Sequence, residues 1–238
     1  MIPAGRCGPG PGRPPFGGSR PFRQVPGQVD REAPTVEQVA HPDAPRLPSL
    51  APADLDDDQR AVHAELTGGA RGGVPTAPDG SLAGPFNAML HAPAVGGPLQ
   101  ELGAALRTRG ALPARARELA VLAVAAHHRS AFEWWAHSAI AARLGVPDEL
   151  VGAVRAQDPS TRPEDAVESA VLDATRVLLS TGDLDDGQYA SARHALGDTG
   201  LVELTTLLGY YALLAMQLRV FRVGLPEGAV DAWADRPV

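Results

Sequence analysis

Apolar residues recur every third and fourth position along most of the chain from residue 54 onward, with polar residues between them. That period traces one face of an α-helix, whereas strict alternation would mark a strand. The densest case runs from Glu118 to Gly145. Leu119, Leu122, Ala123 and Ala126 form one face of a first helix. It is expected to open at Pro113, since a first helical position leaves its N–H unused and proline has none. Phe132, Trp135, Ala136, Ala139, Ile140 and Leu144 form the face of a second helix, with a tight join at Arg129–Ser130 and Gly145 as its stop. Ser130 and Glu133 have capping-box spacing, so Ser130 is expected to cap the second helix and Glu133 to close the cap.

The same reading covers the rest of the chain. A helix is expected over Asp54–Leu66 with Asp54 as its cap. A long Gly- and Pro-rich loop follows over 68–84. Phe86, Met89 and Leu90 suit a short helix, and Pro93–Arg109 another. Beyond the central pair come Pro147–Ala156, a helix opened by a Thr161/Glu164 capping box and ended by Gly182, and Asp185–Leu196. Leu201–Val223 is last. It is apolar on nearly every side from Leu204 to Leu218, which predicts a central helix or one shared between subunits. No segment alternates like a strand and no repeat is visible, so the fold class is all-α.

Composition narrows the function. Residues 1–48 combine Pro and Gly with arginine and almost no aliphatic period, and a disordered tail is expected there. The 238 residues carry a net charge of -7, which argues against nucleic acid as a partner. Every basic side chain other than histidine is arginine, which removes Schiff-base lysine and P-loop chemistry. Cys7 is the single cysteine, so one chain has no dithiol. The N-terminus lacks an apolar core of secretory length, and the run 204–218 is short for a membrane span. A cytoplasmic protein without membrane association is the expectation.

Glu118, Glu133 and His137 are the candidate proton-transfer groups. Glu133 and His137 stand four apart on one helix side, and histidine titrates near neutrality. Plainer roles stand beside these: Glu133 as a cap, His137 as a core residue, Glu118 as a partner of Arg115 or of the helix dipole. His91, Ser130 and Trp134 are candidates for the pocket wall, and Trp135, Tyr210 and Tyr211 read as core or wall. Free N–H groups at the start of the second helix suit a substrate carboxylate. His137, Glu133 and His128 match no recognised metal motif, so no metal and no cofactor are assigned.

The segments GPFNAMLHAP (84–93), LPARARELAVLAVAAHHRSAFEWWAHSAIAARLGVPDELV (112–151) and LVELTTLLGYYALLAMQLRVF (201–221) resemble the carboxymuconolactone decarboxylase family, which shares its fold with alkylhydroperoxidase D. The resemblance spans about 54–228 and implies an alkylhydroperoxidase D-like helical bundle that assembles as a trimer or hexamer. The redox branch of that superfamily carries Glu, a Cys-x-x-Cys pair and His. Here Glu118 and His137 stand at the matching places, and Ser130 and Glu133 replace the two cysteines. Peroxidase chemistry would therefore need a thiol from outside this chain. The cysteine-less decarboxylase branch carries Glu and His one turn apart, as Glu133 and His137 are. It implies cofactor-free acid–base chemistry on a small carboxylated lactone or enolisable acid, with His137 moving the proton. A non-catalytic ligand-binding or scaffold oligomer on the same fold is the alternative. Glu118, Glu133 and His137 lining one cavity would favour the enzyme.

Overall fold

The computed structural model describes residues 44–68 and 73–234. Most of the expected tail, residues 1–43, lies outside them. Among the described residues eight α-helices follow one another: α1 (Asp57–Gly68), α2 (Phe86–His91), α3 (Pro93–Thr108), α4 (Ala114–His128), α5 (Ala131–Arg143), α6 (Asp148–Arg155), α7 (Ala166–Thr181) and α8 (Asp186–Val220). One isolated antiparallel bridge joins Thr76 to Leu82, and no strand forms among the described residues. The all-α expectation holds.

The hub is α4, not the last helix. Every residue from Glu118 to Ala126 is buried, because α4 packs against α5, α7 and α8 at once. Its small side chains allow that: alanines at 120, 123, 125 and 126 let neighbouring backbones approach, while Leu119 and Leu122 fill the remaining space. By length and composition α8 could cross a membrane, but half of its apolar window is buried inside the chain. The rest leaves Val202, Leu213, Met216 and Val220 exposed. Gly197, with φ 67 and ψ 174, breaks α8 where the sequence placed the gap between two helices. A glycine is also required at the contact between α2 and α3: a Cβ on Gly96 would stand 2.1 Å from the Met89 carbonyl oxygen.

Three expected caps are corrected. Asp54 lies in a 3₁₀ turn (Pro52–Asp54), and Asp56 caps α1 instead, exchanging hydrogen bonds of 2.9 and 3.0 Å with Gln59. Asp165 rather than Thr161 caps α7, accepting from the Val167 and Glu168 N–H groups. Pro163 disfavours helical backbone in the residue before it, which delays the start. Ser130 occupies the N-cap position of α5, but its side chain makes no capping bond. At α4, Pro113 is the N-cap and not the first helical residue.

Candidate active site

The chain reverses between α4 and α5 within two residues. Arg129 takes the left-handed conformation (φ 50) and its N–H returns to the Ala125 and Ala126 carbonyls. A non-glycine residue there costs about 1 kcal/mol, and the helix packing on either side holds it. The reversal brings α5 back along α4, so that residues 19 apart in sequence meet in the core. His137 Nδ1 lies 2.6 Å from Glu118 Oε2, with Glu118 and His137 only 2% and 6% exposed.

Burial alone would push the Glu118 carboxyl up. The hydrogen bond and charge of His137, with the Arg117 and Arg107 cations, outweigh it and hold the carboxyl below its ordinary value. Arg117 Nε stands 3.6 Å from Glu118 Oε1, and its Nη1 donates to the Arg107 carbonyl at 3.2 Å. An ionised carboxylate only accepts, so the Nδ1–H of His137 points to Glu118 and Nε2 is left for a ligand. The Tyr211 ring packs edge-on against the imidazole, with centroids 5.0 Å apart and planes at 90°.

His137 and Glu133 line one cavity of about 350 Å³. This falls in the size range of small-molecule sites. Phe86, Phe132, Trp135, Ile140 and Leu214 give it an apolar body, while Arg107 and Arg143 supply two cations. Glu133 is 3% exposed and neither of its oxygens has a hydrogen-bond partner among the described residues. Desolvation pushes its carboxyl up to about 8. The Ser130 hydroxyl offsets part of that rise without reaching it in hydrogen-bond geometry. Two carboxylates close in sequence thus sit in opposite protonation states at neutral pH: Glu118 ionised, Glu133 protonated.

The six sequence candidates divide. Glu133 and His137 share the cavity wall, whereas Glu118 stands behind it, bonded to His137, and does not line the cavity as expected. His91 does not join them: its Nε2 lies 2.9 Å from the Pro48 carbonyl, outside the cavity wall. Trp134 packs into the core against Trp233, centroids 5.5 Å apart, and Trp135 forms the wall in its place. Ser130 lines a different pocket, at the start of α5. The expected Glu133–His137 pairing along α5 is absent, because His137 turns to Glu118 on α4. Sequence reasoning missed Arg107 and Arg143. For Arg143 a signal existed, since it continues the 132–136–140 face of α5. For Arg107, at the end of α3, there was none.

No curated protein matches the chain. A solved structure from Ralstonia eutropha JMP134, described as an alkylhydroperoxidase AhpD core and an uncharacterized peroxidase-related protein, is similar at TM-score 0.61 and 20% identity, covering 79% of this chain and 95% of its own. At that identity the likeness concerns the fold. The model of the carboxymuconolactone decarboxylase family matches residues 93–177, a span that holds Glu118, Glu133 and His137. Residues 93–177 are thus similar to the carboxymuconolactone decarboxylase family, and the helical fold is similar to that of the alkylhydroperoxidase AhpD core structure.

Proposed function

We propose that the chain is a cofactor-free acid–base enzyme acting on a small carboxylated lactone or a similar enolisable acid, by decarboxylation or proton transfer. One observation carries the reading: His137, bonded behind the wall to buried Glu118, lines the same partly apolar cavity as a protonated Glu133. Environments that drive neighbouring titratable groups apart are how one site runs acid and base steps together. Arg107 and Arg143 suit an anionic substrate, and the aromatic wall suits its ring.

In the decarboxylation version, the bond between the substrate carboxylate and its carbon breaks and CO2 leaves. The bonding pair moves towards the conjugated carbonyl, giving an enolate. Glu133, neutral at pH 7, donates a hydrogen bond to the enolate oxygen, an interaction stronger in the transition state than in the ground state. Protonated His137 delivers its Nε2 proton to carbon and recovers one from water. Glu118 fixes the ring and stabilises its cationic form. Without the carboxylate step, the same groups serve an isomerisation.

Peroxide reduction finds no support in these residues. It needs a thiolate and a resolving thiol, and the single cysteine is Cys7. The exposed Leu213, Met216 and Val220 of α8 support a homo-oligomer, a trimer or hexamer, which sedimentation would measure.

The test is CO2 release and product NMR over a panel of carboxylated lactones, with His137→Gln beside the wild type. A loss of about 10²–10⁴-fold in kcat is expected from removing a positioned proton carrier. Unchanged turnover by that variant would end the proposal.

A further inference from the structure

A second pocket, of about 220 Å³, opens where α5 begins and α8 ends. Its wall carries His128, Arg129, Arg219 and Arg222. None of the three arginines forms an ion pair with a carboxylate among the described residues. The positive field is felt locally: burial, then the neighbouring His127 and Arg219 cations, push His128 below its ordinary value.

The backbone adds donors and few acceptors. The N–H groups of Ala131, Phe132 and Glu133 find no acceptor among the described residues, because no side chain caps α5. The carbonyls that end α8 are already taken. Those of Gln217, Leu218 and Arg219 accept from the Phe221, Val223 and Arg222 N–H groups. The Val220 carbonyl accepts from Arg46, and the His128 carbonyl at the end of α4 accepts from Arg219. Ser130, 8% exposed, lines the same pocket, and its hydroxyl has no hydrogen-bond partner among the described residues.

We propose that this pocket binds a compact tetrahedral oxyanion, a phosphate or the phosphoryl group of a small molecule. The donors outnumber the two oxygens of a carboxylate, whereas phosphate offers oxygens to the helix N-terminus and to guanidinium groups together. The site is separate from the cavity of Glu133 and His137 and does not depend on the reaction proposed there. It supplies the acceptors that three backbone N–H groups and the Arg129 and Arg222 guanidinium groups lack among the described residues.

Calorimetric titration of the full chain with inorganic phosphate, at constant ionic strength in chloride, tests this. Saturable binding is expected. It should weaken at least tenfold in Arg129→Asn/Arg222→Asn, where asparagine tolerates the positive φ of both positions, and stay unchanged in Arg107→Gln. Arg222→Asn alone, which leaves the α4–α5 turn intact, should weaken it at least threefold, with circular dichroism verifying the fold. A parallel titration with phenyl phosphate separates the two sources: tighter binding points to a phosphoester, equal or weaker binding to the free anion. No saturable binding of either ligand, or equal phosphate affinity in the arginine variants, overturns the proposal.

Discussion

Replacing Glu133 by glutamine tests the protonation state on which the proposed chemistry depends. In the folded chain the Glu133 carboxyl is pushed up to about 8 from 4.5, while in the unfolded chain it titrates near its ordinary value. Between those two values the folded state holds a proton that the unfolded state has released. Stability must therefore fall as pH rises through this window, by at most about 1.4 kcal/mol per pH unit. Below pH 4.5 both states are protonated and the group costs nothing; above about 8 both are ionised and the penalty is complete. The ceiling is about 5 kcal/mol. Water entry and rearrangement around the ionised group reduce it, so a loss of about 2–4 kcal/mol between pH 5 and pH 9 is expected.

Glutamine has nearly the same shape and cannot ionise. The two proteins should be about equally stable at pH 5, and Glu133→Gln should be the more stable at pH 9 by the stated margin. Urea unfolding at pH 5, 7 and 9, read by circular dichroism, gives the difference directly. Other titrating groups contribute to both curves and cancel. A difference that stays constant across the series would show that Glu133 is ionised throughout, and Glu133 could not then donate a hydrogen bond to the enolate.

Other changes give separate checks. Glu118 is held below its ordinary value, so its contribution is present above about pH 4.5 and lost as pH falls through the folded value. Glu118→Gln should cost about 3 kcal/mol at pH 7 in chemical unfolding, and the cost should shrink towards pH 3. Trp134→Ala should destabilise by about 3–5 kcal/mol with KM unchanged, whereas Trp135→Ala should raise KM, as steady-state kinetics on an active substrate would show. Gly96→Ala should lower stability by about 2–3 kcal/mol, seen as a drop in Tm, because the added methyl meets the Met89 carbonyl oxygen.

The helices were legible because their burial follows a period that the sequence displays, and α4 stood out for its density of small apolar residues. Their starts were less so. Thr161 and Ser130 have the composition of caps, but capping depends on where the backbone turns, and Asp165 lies closer to the turn that forms. The site was legible as a set of three residues, not as a set of bonds. Spacing along α5 pointed to Glu133 and His137, since residues four apart are neighbours on a helix surface. The face that carries them is buried, however, and there the opposing helix supplies the better partner. Glu118 wins His137 because it arrives across the turn already flanked by arginine. Arg107 reaches the cavity only through the packing of α3, which no local pattern reports.

What separates the two carboxylates is partnership more than depth, since both are almost fully buried. Glu118 faces an imidazole and two guanidinium groups, so desolvation is outweighed and the charge stays. Glu133 faces an apolar wall and a single hydroxyl, so desolvation prevails and the proton stays. A cysteine pair in these positions would place sulfur chemistry at the same turn. Serine and glutamate replace it with an acid that keeps its proton at neutral pH beside a histidine whose ring is fixed. The arrangement requires that His137 not bond to Glu133, for a charged imidazole at that distance would draw off the proton. The α4–α5 reversal, held at Arg129, meets that requirement by presenting Glu118 to Nδ1.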